Sequence, residues 1–242
     1  MPFTLSHPAI ILPLAKGSPK WISLTGLVVG SMTPDFEYFI RIRMGNSVSH
    51  TLPGLFYFDL PLALLLTFAF HNIIRNPLYN NLPTAMGVRL LQYQSFQWNE
   101  YFKTHAWVVI PSALIGAGSH LFWDGFTHGN GYFVQSIHEL TTPVEMFGDS
   151  IPIYRIIRLL STVFGGLIVL LYIFRMPGDQ TMNQIRSAQY WPILIFLSTM
   201  IIAVRCLFGF EINLLGQLAG TGISACLIAL IVTPFILRTK YT

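Results

Sequence analysis

The sequence predicts an all-α, polytopic membrane protein with about five transmembrane helices and an N-terminal short helical hairpin, on three observations. Charged residues make up only 10% of the 242 residues and hydrophobic ones 53%, against roughly 25% charged in soluble domains. Mean hydropathy is +0.57. The stretch from Ile212 to Leu237 has no charged residue and exceeds the roughly 20 residues that cross a bilayer core. A single integral-membrane domain over residues 1–242 is the simplest division, since no internal repeat or low-complexity tract interrupts the chain.

The first 40 residues differ from the rest. Ser6-His7-Pro8 opens a short helix with proline in its first turn, and Gly17-Ser18-Pro19 closes it. A second short helix is expected over about 20–31. At 10 to 12 residues neither crosses a bilayer, so the pair reads as a half-buried hairpin over 1–40. Its N-terminus has no basic region of the signal-peptide type. Five spans are then expected at 52–74, 105–124, 156–174, 190–208 and 212–237, with loops at 75–103 and 125–155 marked by Pro77, Pro83 and polar residues. Trp21, Trp98, Trp107, Trp123 and Trp191 fall near segment ends, where indoles favour the interface. Cys206 and Cys226 lie in apolar runs and read as small buried hydrophobes, unpaired. Small residues such as Gly165, Gly166, Gly216, Ala219, Gly220 and Gly222 suit close helix packing.

Alternation of the spans puts Arg75, Arg89, Lys103, Arg175, Arg186, Arg238 and Lys240 on one side and Arg41, Arg43, Arg155, Arg158 and Arg205 on the other. The excess marks the first side as cytoplasmic. Fourteen Lys and Arg against ten Asp and Glu are spread thinly, which excludes a nucleic-acid surface. GxSxG, GxxxxGK[ST], HExxH and CxxC are all absent, so serine hydrolases, P-loop enzymes and zincins have no local support.

The densest polar signal is Ser119-His120-Leu-Phe-Trp-Asp124-Gly-Phe-Thr-His128. His120 and Asp124, at i and i+4, project from one helix face, with His128 a turn beyond. Two imidazoles and a carboxylate at one helix end suit zinc, manganese or iron. Mutual hydrogen bonding at a helix end would also explain HxxxD, because buried polar groups are tolerable once paired. The same membrane level carries more ligand types: His50 opens the 52–74 span, and Asp35 follows Thr33-Pro34 at the hairpin exit. The 105–124 helix runs antiparallel to that span, so His7, Asp35, His50, His120, Asp124 and His128 can converge. Ionisable groups at such depth read first as functional.

Helix rise separates the remaining histidines. His71 lies 21 residues after His50, roughly 30 Å along the same span, and His105 lands at the level of His71 as an interfacial side chain. His138, Glu139, Glu145 and Asp149 read as solvated loop groups. Asp59 could orient a ligand imidazole, and Glu37 lies two residues from Asp35.

At these residues the sequence resembles a bacterial integral-membrane family of unknown function whose chains start MPFTLSHP and carry MTPDFEYF-like, SHTLPG and GAGSHLFWDGFTH segments. It resembles more distantly the YdjM-type predicted membrane-bound metal-dependent hydrolases. Both are similar to the zinc-dependent phospholipase C and P1 nuclease superfamily, helical enzymes that hydrolyse phosphoesters with three zinc ions. The resemblance implies the ligand order His7, Asp35, His50, His120, Asp124 and His128. Two features depart from the superfamily: the N-terminus is not a processed ligand, and Thr142 stands four residues after His138 where an HxxxE pair would have its acid. One or two metals, zinc first among divalent candidates, are therefore expected.

Two functions follow from different classes. The first is a hydrolase of phosphoesters or lipid-linked substrates in the bacterial cytoplasmic (inner) membrane, with Asp35 or Asp124 as the catalytic bridging carboxylate and Arg41 or Arg43 meeting the substrate head. The second is a non-catalytic membrane protein whose cluster binds a structural metal or passes an ion or proton. Lipid is the partner expected in either case.

Overall fold

The computed structural model describes residues 3–16, 20–41, 48–146, 148–179, 181–207 and 215–237. The expected stop at Gly17-Ser18-Pro19 and the residues Arg43, Arg238 and Lys240 lie outside this set. Among the described residues the regular structure is helical apart from one short hairpin, with irregular connections such as that after Arg175. In order, the elements are α1 (Pro8–Ile11, between 3-10 turns at Thr4–Ser6 and Leu14–Lys16), α2 (Leu24–Arg41), α3 (Leu60–Ala69), α4 (Arg75–Asn81), α5 (Thr84–Leu90) and α6 (Trp98–Thr127). Then come α7 (Tyr132–Ser136), α8 (His138–Thr141), β1 (Pro143–Met146), β2 (Asp149–Pro152), α9 (Ile153–Arg175), α10 (Tyr190–Leu207) and α11 (Leu215–Ile236).

Five helical stretches are long and apolar enough to cross a membrane: Leu55–Asn81, Trp98–Ser136, Ile153–Arg175, Tyr190–Leu207 and Gln217–Ile236. All five expected spans are present, with shifted ends. The first reaches past residue 74 because Pro77 does not stop it. Two widened π turns, Leu55–Asp59 and Phe70–Ile74, precede Pro61 and Pro77. Each proline lacks an amide to donate back, and the wider turn makes room for its ring. The 30-residue α6 likewise contains Pro111 and is kinked at His105 (φ −124°, ψ 20°).

The N-terminal hairpin departs most from expectation. Its second helix begins at Leu24 rather than Lys20 and runs 18 residues to Arg41, so that Thr33-Pro34-Asp35 lies inside it rather than at an exit. Pro34 has no amide to donate to the carbonyl of Gly30 four residues before it, yet the helix continues through it, with the Thr33 hydroxyl donating to the carbonyl of Val29 at 2.7 Å.

The described residues pack as two compact units. The first takes in residues 1–35, 47–64 and 102–172. In it α2 and α6 run in the same direction with their backbones in contact. A Cβ on Gly30 would lie 2.2 Å from the carbonyl oxygen of Ala113, and one on Gly116 would lie 2.3 Å from that of Leu27. Only glycine permits so close an approach. The buried residues Leu27, Val109, Ala113 and Ala117 line the unit's interior, and the Ser23 amide donates to Ser112 Oγ at 2.9 Å. This parallel crossing sets Ser31 beside His120 and brings Asp35, one turn on, toward the end of α6. Between α8 and α9, β1 and β2 pair antiparallel with Val144 opposite Ile151. Gly148 at φ +87° supplies the left-handed turn residue.

The second unit takes in residues 36–46, 65–101 and 173–242. In it α10 and α11 pack around Tyr190, Leu194, Ala229 and Leu237. Ser224 Oγ donates to the carbonyl of Phe39 at 2.8 Å, tying α11 to the end of α2. Trp98 is 2% exposed rather than interfacial, its indole stacked on His71 at 4.5 Å. Cys206 and Cys226 are unpaired, as expected, but exposed on the sides of their helices rather than buried. A cysteine is apolar enough to face acyl chains as readily as a protein core.

Candidate metal centre

The six residues singled out in the sequence all lie in the first unit, and Asp124 stands at their middle. Its Oδ2 is 3.3 Å from His50 Nε2 and 3.3 Å from His120 Nε2. Its Oδ1 is 3.7 Å from His7 Nε2 and 3.4 Å from His128 Nδ1. Asp35 Oδ1 lies 3.5 Å from His120 Nε2 and 3.9 Å from His50 Nε2. Asp35, His50, His120 and Asp124 each offer one ligand atom, and those atoms all lie within 4.8 Å of one another. His7 and His128 flank this group of four.

These separations bear on the choice between mutual hydrogen bonding and a shared ion. Hydrogen bonds to nitrogen cluster near 2.9 Å and fade beyond 3.2 Å. Donors about 2.1 Å from a tetrahedral zinc stand roughly 3.4 Å apart. The nearest nitrogen–oxygen pairs, 3.3 to 3.9 Å apart, are long for hydrogen bonds, and the four ligand atoms, all within 4.8 Å of one another, could hold one ion. Satisfaction points the same way. His7 Nδ1 and Nε2, Asp35 Oδ1, His120 Nε2 and Asp124 Oδ2 are all buried without a hydrogen-bond partner among the described residues. Leaving such atoms unsatisfied would cost about 1–3 kcal/mol each, whereas a cation facing one atom of each residue would remove most of that cost. The residues present therefore fit a divalent metal.

The outer contacts orient the ligands. His120 Nδ1 donates to the carbonyl of Ser31 at 2.7 Å, which turns Nε2 toward Asp124. The Thr4 hydroxyl donates to Asp35 Oδ2 at 2.6 Å, turning Oδ1 toward the histidines. His50 Nδ1 lies 3.0 Å from Ser49 Oγ. Burial first, and His120 second, push the His7 imidazole down to about 3, which keeps it in the neutral form that ligates metals. Burial by itself raises the Asp35 carboxyl, but His120, His7 and the Thr4 hydroxyl outweigh it and hold the group below its ordinary value.

Access is one-sided. The His7, Asp35 and His120 side chains are 0% exposed and Asp124 7%, whereas His50 and His128 are 22% and 23% exposed. The group is therefore open to its surroundings at His50 and His128. Thr4 and the Ser31 carbonyl were missed in the sequence. A hydroxyl three residues before His7 was a signal for the first; nothing local marks a backbone carbonyl.

The other candidates are not among these four ligand residues. His71 belongs to the second unit, where it accepts from Arg75 at 3.0 Å. His105 pairs with Thr104 Oγ1 at 2.7 Å. Glu37, also in the second unit, forms an ion pair with Arg41 at 3.0 Å. His138, Glu139, Glu145 and Asp149 are exposed, and Asp59 is buried.

Neither the curated proteins nor the solved structures yield a match to this chain. The model of one family, described as a domain of unknown function (DUF4184), matches residues 1–235. It matches over the helices that carry every residue of the metal group, and the chain belongs to that family.

Proposed function

We propose that this protein is a metal-dependent phosphoester hydrolase embedded in a bacterial cytoplasmic membrane, acting on lipid or lipid-linked substrates. The observation that carries the reading is the convergence of two carboxylates and two imidazoles, their ligand atoms within 4.8 Å of one another, with one edge open. Asp35, His50, His120 and Asp124 would hold the ion, with His7 and His128 at its flanks. A divalent ion there supplies Lewis acidity toward a phosphoryl oxygen. Asp124 offers one oxygen to the His50 and His120 side and the other to the His7 and His128 side, so it suits a bridging position. His128, at the exposed edge with Nδ1 3.2 Å from the Asp124 carbonyl, is placed to hold or release a proton during substrate entry. The sequence motifs that resemble those of membrane-bound hydrolases suggest the same chemistry, and a resemblance of that kind supports a reading without establishing it.

The test is metal content of the purified protein, followed by release of phosphate or diacylglycerol from mixed phospholipids with and without chelator. Chelator-sensitive release supports the reading. Retained metal without turnover on any phosphoester leaves a structural or ion-passing centre instead.

A further inference from the structure

Two carboxylates, Asp35 and Asp124, cancel the charge of one divalent ion, so the metal group alone offers no net attraction to an anionic substrate. A phosphate-binding site needs further positive charge nearby. Arg41 is occupied by Glu37. The first turns of α9 supply two other cations, Arg155 and Arg158, whose side chains form no ion pair or hydrogen bond to another described residue.

Three contacts fix the face on which they lie. The Tyr154 hydroxyl would stand 3.2 Å from a Cβ on Gly129, the neighbour of His128. Thr162 Oγ1 accepts from the Phe3 amide at 3.2 Å, beside the Thr4 that holds Asp35. Gly165 packs on Ser6, where a Cβ would lie 2.8 Å from that of Ser6, beside His7. Arg158 is four residues from both Tyr154 and Thr162, about 6 Å of helix rise from each. Positions 155, 158, 162 and 165 recur at three and four residues, so they form one stripe of α9. That stripe runs from the His128 flank to the His7 flank of the metal group, with Arg158 half-buried along it.

We infer that Arg158, with Arg155 one turn before it, binds the phosphate group of the substrate beside the metal centre. The inference rests on the hydrolase reading and names its substrate class: a phosphate carried by a lipid headgroup or by a free phosphoester. A guanidinium suits this task because its fork of donors matches two phosphate oxygens at once.

The experiment uses the full chain in detergent, loaded with zinc, and measures binding of two probes, inorganic phosphate and short-chain phosphatidate. Arg158→Ala should weaken binding about tenfold or more with zinc content unchanged, and Arg158→Lys should restore part of it. Unaltered zinc content shows that the variant still folds around the group. Binding of both probes assigns the phosphate itself, and binding of phosphatidate alone assigns the lipid headgroup. If the unaltered protein binds neither probe, or if Arg158→Ala binds both as tightly as the unaltered protein, α9 merely anchors its arginines at the interface and the inference falls. Arginine-dependent binding without product release would sink the hydrolase reading and leave this one standing; turnover unaltered in Arg158→Ala does the reverse.

Discussion

Each unit buries a dense polar group, and the two groups differ. In the second unit the side chains around the end of α4 complete one another, while Thr221 Oγ1 and Thr233 Oγ1 elsewhere in that unit are buried without a hydrogen-bond partner among the described residues. Arg75 donates to the carbonyls of Gln94 and Phe96 at 2.7 and 2.8 Å. Asn81 donates to the carbonyl of Pro77 at 2.8 Å and accepts from the Ser187 amide at 2.9 Å. Asn80 and Gln184 close the same loop onto the end of α4. In the first unit the orienting bonds are equally good, yet the atoms facing inward at His7, Asp35, His120 and Asp124 are left unsatisfied among the described residues. A polar network that satisfies itself serves folding; one that satisfies only its outer half is waiting for a ligand.

The largest expected effect breaks the first unit and spares the second. Asp124→Asn keeps the shape but loses the charge that offsets a cation in low dielectric. Bound metal should fall by more than the 10- to 100-fold typical of outer-shell changes, as read by metal analysis of the purified variant. Equal metal in variant and parent would dissolve the contrast between the units.

Thr4→Val sharpens the same contrast from outside the ligand set. It removes the hydroxyl that turns Asp35 inward and should lower metal affinity by about 10- to 100-fold at nearly constant apo stability, measured by metal titration. Gly30→Ala tests the helix crossing behind both. Its new Cβ meets the Ala113 backbone at 2.2 Å, so α2 must move off α6 at about 1–3 kcal/mol. Thermal unfolding and metal content should fall together, because the Ser31 carbonyl leaves His120 with the helix. Unchanged metal binding would show that the crossing does not position the group.

In the second unit, Asn81→Ala should cost about 1–3 kcal/mol of stability with metal content unaltered. Metal loss in that variant would erase the distinction drawn between the units. His71→Ala is the smallest change: the ring stacks on Trp98 and accepts one bond from Arg75, so a modest drop in melting temperature with full metal content is expected.

The sequence by itself determined the helical class, the five apolar stretches and the polar residue types, because apolar length and the i, i+4 spacing of His120 and Asp124 are local properties of the chain. It did not disclose that α2 continues through Pro34. That outcome depends on the carbonyl environment of one buried turn, and a rule that proline ends helices misplaced Asp35 at an exit when it lies inside the helix. Nor did it disclose which cations are committed, since the Glu37 partner of Arg41 is set by a helix that was expected to have stopped. Only the tertiary structure decided the metal group itself. The parallel contact of Gly30 and Gly116 brings the Ser31 carbonyl to His120, and the N-terminal turn lays Thr4 on Asp35. Those distances come from backbones meeting across 89 and 31 residues of chain, and no local pattern encodes a contact of that range.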